Sequence, residues 1–148
     1  MRAAVLIVAA GRGSRAGGVL PKQYQQVNGE KVLRKTIKRF CGRSDVETIL
    51  VAIHPDDEDL FKSSIAGFKR DIDFVYGADT RTGSVHAGLK ELAKQKPDIV
   101  LIHDAARPFV TPDVIDDVFK HLLEHDCAVP GLPVIDALKS GDGTAVDR

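Results

Sequence analysis

An excess of charge of either sign is missing from this sequence: lysine plus arginine and aspartate plus glutamate both number 21, leaving a formal net charge of zero. A balanced surface excludes bulk attraction to nucleic acid or to an anionic membrane, so any anion site must be built locally. Cysteine is scarce. Cys41 and Cys127 stand far apart, without metal-ligand spacing and in apolar surroundings, which predicts two buried free thiols in a reducing cytoplasm. Long hydrophobic runs are absent as well. The apolar stretch after Arg2 is cut by Gly11, Arg12 and Gly13, too short to cross a membrane and read as a buried strand rather than a signal segment. Low-complexity tracts and internal repeats are lacking. At 148 residues the chain has the length of one domain with one sizeable core.

What is present is an alternation. Runs rich in Val and Ile at 3–9, 47–54, 72–76, 98–103 and 127–130 read as strands. Helices are expected over 31–40, over 57–68 after Pro55-Asp56-Asp57, over 81–94, and from Thr111-Pro112-Asp113 onward with Val114, Val118, Leu122 and Leu123. Strands apolar on both faces and separated by helices predict an α/β fold with a parallel sheet covered on both sides. Ligands of such sheets bind at the carboxyl ends of the strands. From Leu132 the rhythm breaks: Pro133 and the Gly141-Asp142-Gly143 turn predict a protruding two-stranded arm over 132–148.

After the first strand comes a loop, Ala9-Ala10-Gly11-Arg12-Gly13-Ser14-Arg15-Ala16-Gly17-Gly18-Val19-Leu20-Pro21-Lys22-Gln23, dense enough in glycine for backbone N–H groups to approach an anion. Its glycine spacing is not G-x-G-x-x-G, which disfavours a dinucleotide fold, and no Gly-Lys-Ser or Gly-Lys-Thr completes a P-loop. Arg12, Arg15 and Lys22 are three cations expected to converge on one polyphosphate, with Pro21 stiffening the chain beside the lysine.

At these residues a resemblance becomes specific. Ala9-Ala10-Gly-x-Gly-x-Arg followed by Pro21-Lys22-Gln23 resembles the signature of nucleotidyltransferases of glycosyltransferase-A-like fold, and the Pro-Lys-Gln form is similar to that of the 2-C-methyl-D-erythritol 4-phosphate cytidylyltransferases. The stretch from Gly77 to Leu89, with Ala78-Asp79-Thr80-Arg81 and Ser84, and the stretch His103-Asp104-Ala105-Ala106-Arg107-Pro108 resemble the same family in the same order. The resemblance covers nearly the whole chain. It implies a three-layer, Rossmann-like fold and transfer of CMP from CTP to 2-C-methyl-D-erythritol 4-phosphate with release of pyrophosphate, in non-mevalonate isoprenoid biosynthesis.

Nucleotidyl transfer concentrates negative charge on the α-phosphate, which fixed cations and a metal must meet. By resemblance, Arg15 and Lys22 stabilise that charge, and Ala9, Ala10, Gly11, Gly13, Ala78, Asp79 and Ser84 surround the cytidine. Asp104 follows a strand expected to end at the site, where one carboxylate plus substrate phosphates suits Mg2+. Read alone it is an ordinary loop aspartate; beside Ala105, Ala106 and Arg107, whose guanidinium can grip a phosphate or hydroxyl group, it reads as a site residue. Ser84 reads equally as a helix cap and as a ligand group, and Arg81 equally as a structural ion-pair partner. His103 is expected to pack rather than titrate.

The resemblance further implies a cytoplasmic homodimer whose arm crosses to the partner subunit, with Arg148 holding the acceptor phosphate there. Two departures stand out. Ala137 occupies a position where many relatives carry threonine, as in versions fused to 2-C-methyl-D-erythritol 2,4-cyclodiphosphate synthase. The family also continues beyond Arg148 and supplies a further lysine, so the chain is expected to be incomplete at its C-terminus. The alternatives are a nucleotidyltransferase for another sugar-phosphate-like acceptor and a nucleotide-binding or dimerisation module without catalysis.

Overall fold

The computed structural model describes residues 2–12, 20–133 and 135. The chain divides into two compact units, Met1–Pro112 and Asp113–Arg148.

The first unit is built on a four-stranded sheet: β1 (Ala3–Ala9), β4 (Val46–Ile53), β5 (Asp73–Tyr76) and β6 (Ile99–Asp104), in the order β5-β4-β1-β6. Every pairing in it is parallel. β1 and β4 are central and apolar on both faces, with Val5, Leu6, Ile7, Val51, Ala52 and Ile53 sealed from solvent. One face carries Ala4, Leu6, Leu50 and Ala52 against Leu92, Val85 and Leu89 of α3 (Arg81–Leu92). The alternate residues face the opposite layer, toward α1 (Val32–Cys41), which buries Val32, Leu33, Thr36, Ile37 and Phe40 along one stripe. Between those positions Arg34, Lys35, Lys38 and Arg39 keep the other face charged. Each fully buried Leu, Ile or Phe contributes roughly 1.5–3 kcal/mol, so this double-sided core decides the fold. The outer strand β6 is half-buried throughout, with Ile102 exposed.

The expected helix over 57–68 is shorter. Pro55–Asp57 forms a 3-10 turn, α2 spans Glu58–Ile65, and Gly67, at φ +79°, turns the chain where only glycine adopts that backbone freely. A small hairpin that hydropathy did not reveal pairs β2 (Gln26–Val27) with β3 (Glu30–Lys31) around Asn28-Gly29, both at positive φ.

In the second unit, α4 (Pro112–His121) ends before Leu122, and Ile115 is its buried residue, whereas Val114 and Leu123 are exposed. The strand expected over 127–130 does not form. Val129 is largely exposed, and Pro130 and Pro133, lacking N–H donors, close off ladder pairing. The two thiols are not buried as expected: Cys127 is exposed and Cys41 half-exposed, because the run around Cys127 joins no sheet among the described residues. Of the expected arm, Leu132, Pro133 and Ile135 have no regular structure, and the remainder lies outside the described residues.

Candidate active site

Parallel register brings Ala9, Ile53, Tyr76 and Asp104 to one edge of the sheet, the carboxyl edge. Three loops leave from it.

The first is the glycine-rich loop. Ala9 and Ala10 are buried as β1 ends. Gln23, also buried, returns across the loop: its Nε2 donates to the carbonyls of Ala9 at 2.6 Å and of Gly11 at 3.1 Å. A 3-10 turn over Lys22–Tyr24, closed by the Tyr24 amide on the Pro21 carbonyl at 2.9 Å, buries Gln23 and Tyr24 and leaves Lys22 exposed. Lys22 makes no ion pair with any described residue. Gly13 and Arg15 lie outside the described residues. Arg12 corrects the expected cluster of three cations. Its guanidinium is spent on protein, donating to Asp57 at 2.9 Å and Asp56 at 2.6 Å and meeting His54 Nδ1 at 2.7 Å.

The second loop links β5 to α3. Gly77 passes so close to the first loop that a Cβ there would lie 2.5 Å from the Ala10 Cβ and 2.7 Å from the Ser84 hydroxyl. Ser84 is buried; its Oγ accepts from the Ala78 amide at 3.0 Å and lies 3.0 Å from the carbonyls of Ala78 and Thr80. The helix cap, however, is Thr80, whose Oγ1 accepts from the Gly83 amide at 3.0 Å. Ser84 sits one turn inside and shapes the loop instead. Ala78, tied to Ser84, and Asp79 are exposed and follow directly on Gly77, the residue that lies against Ala10.

The third loop follows β6. Asp104 shares its carboxylate between two arginines: Arg81 reaches Oδ1 at 3.0 Å and Arg107 reaches Oδ2 at 3.0 Å. The ion-pair reading of Arg81 is the one the geometry displays. α1 pins the loop from beneath: Thr36 Oγ1 donates to the Ala105 carbonyl at 2.8 Å, and Arg39 Nε donates to that of Pro108 at 2.8 Å. His103 packs edge-on against Phe40, with centroids 5.2 Å apart, and its Nε2 meets the Arg107 carbonyl at 2.9 Å. Burial foremost holds its pKa below the ordinary value, which favours the neutral ring and accords with a packing residue. Sequence reasoning missed Thr36 and Arg39, which read as ordinary residues of an amphipathic helix, and read Gln23 only as part of the Pro21-Lys22-Gln23 motif, not as the tie across the loop.

No cluster of three or more His, Cys, Asp or Glu side chains suited to a metal exists among the described residues. A divalent cation at this corner would meet one carboxylate, that of Asp104, and would have to draw its other oxygen ligands from substrate phosphates and water. Such an ion would have to displace Arg81 or Arg107 from it, and incoming phosphates are the natural partners for an arginine so released.

A parallel α/β sheet with a glycine-rich segment after its first strand and an acid at the end of β6, both at the carboxyl edge, accords with the nucleotidyltransferase class. The match to known proteins is narrower. The model of the 2-C-methyl-D-erythritol 4-phosphate cytidylyltransferase family matches residues 3–147, and the chain belongs to that family. The bifunctional enzyme IspD/IspF of Rhodospirillum rubrum is 47% identical over 147 residues, 99% of this chain and 38% of that protein. The 2-C-methyl-D-erythritol 4-phosphate cytidylyltransferase of Francisella tularensis superposes with a TM-score of 0.66 at 32% identity, covering 84% of this chain and 54% of that one. The bifunctional IspDF of Campylobacter jejuni shares the fold, with a TM-score of 0.79 at 23% identity over 95% of this chain and 36% of that one. The chain thus spans well under half the length of the bifunctional relatives it matches.

Proposed function

We propose that this chain carries the cytidylyl-transfer site of its family: a phosphate oxygen of 2-C-methyl-D-erythritol 4-phosphate attacks the α-phosphorus of CTP, a new P–O–P link forms, and the bond to the leaving pyrophosphate breaks. The observation that carries this reading is the contact of Gly77 with both Ala10 and Ser84, which joins the glycine-rich loop to the Ala78-Asp79 loop as one surface for a nucleoside. Lys22 and Arg15 meet the charge that grows on the α-phosphate. Arg107 grips the acceptor phosphate, and Asp104 holds it oriented until substrate arrives. A magnesium ion bound at Asp104 would supply further charge neutralisation at the phosphates. Acceptor binding is completed by Arg148 of a second copy through the 132–148 arm, in a cytoplasmic homodimer.

Among the described residues no helix is long and apolar enough to cross a membrane. A panel of nucleoside triphosphates offered with methylerythritol phosphate, read by pyrophosphate release, tests the reading. Preference for a donor other than CTP would sink the cytidylyl assignment in favour of another sugar-phosphate acceptor and nucleotide. The rival reading is a nucleotide-binding or dimerisation module without catalysis. CTP binding without pyrophosphate release would establish it.

A further inference from the structure

The glycine-rich loop leaves the core at 9–12 and rejoins it at 20–24, and Gln23 ties the second stem to the first. A second tie comes from outside the loop and its motif. Asp57, at the turn after β4, is 1% exposed and takes the Arg12 guanidinium on Oδ1 at 2.9 Å. Its Oδ2 is buried and has no hydrogen-bond partner among the described residues; the same is true of the hydroxyl of Tyr24, at the far end of the loop. Burial foremost, then the negative charge of Asp57, raises the Tyr24 phenol pKa, and Arg12 opposes it, so Tyr24 lies in the field of this pair. A buried carboxylate whose one ion pair among the described residues is with Arg12 binds the two groups to each other: without the cation, its charge is left uncompensated in the interior. Asp56 and His54 complete the clamp on the exposed side of the same guanidinium.

We infer that Asp57 is a positioning residue for the nucleotide loop, fixing its first stem through Arg12 and so committing Arg12 to the fold rather than to phosphate. Only the catalytic consequence rests on the proposed cytidylyl transfer; the tie itself is a property of the fold.

The test uses the full chain and three variants: Arg12→Gln, Asp57→Asn, and the two combined. Amide hydrogen exchange is the first readout, with the Tyr24 and Gln25 amides, bonded to Pro21 and Lys22 at 2.9 and 3.2 Å, as reporters. Exchange over 8–12 and 20–27 should rise about tenfold in either single variant and no further in the double, with 81–92 and 99–104 unchanged. The second readout is kcat/KM for CTP, which should fall about tenfold in each single variant and no further in the double. Arg12→Gln, on the half-exposed side, carries the test should Asp57→Asn not fold. Parental exchange over 20–27 in both singles would overturn the inference, as would uniformly faster exchange along the chain. Losses in kcat/KM that multiply in the double would make Arg12 an independent phosphate ligand and overturn it too. A parent chain that transfers no cytidylyl group would defeat the proposed function, while the exchange readout would still decide the tie.

Discussion

The backbone of Gly77 lies against the side chain of Ser84 so closely that a Cβ on Gly77 would stand 2.7 Å from the Ser84 Oγ. The methyl group of Ala10 blocks the other side at 2.5 Å. Gly77→Ala must therefore push apart the two loops that the proposed mechanism assigns to the nucleoside. We predict a loss of roughly 1–3 kcal/mol in folding stability from overpacking, together with at least a tenfold rise in the CTP dissociation constant, ~1.4 kcal/mol. Denaturant titration and calorimetry check the pair. Unchanged CTP affinity in a destabilised variant would show that the loops do not act as one surface.

Thr80 and Ser84 separate capping from loop shaping. Thr80→Ala removes the helix cap and should cost about 1 kcal/mol of stability with little change in CTP binding. Ser84→Ala leaves the Ala78 amide without its acceptor, at a similar cost of about 1 kcal/mol, and should also weaken CTP because Ala78 and Asp79 lose their position. Equal effects of the two changes on CTP affinity would contradict this division.

On the proposed mechanism Lys22 acts on charge that exists only as the reaction proceeds. Lys22→Ala is expected to lower kcat by on the order of 10²–10³ while KM for CTP changes little. Steady-state kinetics decide it, and a variant that turns over at the parental rate removes Lys22 from the mechanism.

His103 gives a pH dependence whose sign is fixed. Burial depresses its folded-state pKa below the ordinary 6.5, against the Arg107 carbonyl and the Asp104 charge, which raise it, and with the Arg107 charge, which lowers it further. The unfolded chain therefore takes up this proton first as pH falls. The stability of the neutral packed form is complete above 6.5 and is lost as pH drops from 6.5 through the depressed folded value. Urea midpoints measured at descending pH should fall more steeply for the parent than for His103→Gln, and parallel slopes would rule the histidine out as the source.

Much of the fold was legible in the sequence because the central strands are apolar on both faces. Ala3–Ala9 was placed to the residue, and the alternation with helices dictated a parallel sheet. The run over 127–130 misled because apolar content alone cannot supply a neighbouring strand. The site's motifs were equally visible, since a glycine-rich turn and an acid after a strand are local features. The pairing of Arg12 was not. Its partners His54, Asp56 and Asp57 belong to a different strand-helix turn, and nothing local distinguishes a guanidinium aimed at phosphate from one aimed back at protein. The cap on α3 went to Thr80 rather than Ser84, in keeping with the expected helix start at 81, which puts residue 80 at the cap and Ser84 one turn inside.

The shared carboxylate of Asp104 bears on how the corner responds to ionic strength. The side chains of Arg81 and Arg107 are 63% and 76% exposed, so salt loosens their pairs with Asp104 even as it would screen Arg107 from the phosphate proposed for it. The two effects oppose each other. On the proposed mechanism, affinity for the acceptor phosphate should then decline with added salt less steeply in the parent than in Asp104→Asn, where Arg107 stands free from the start.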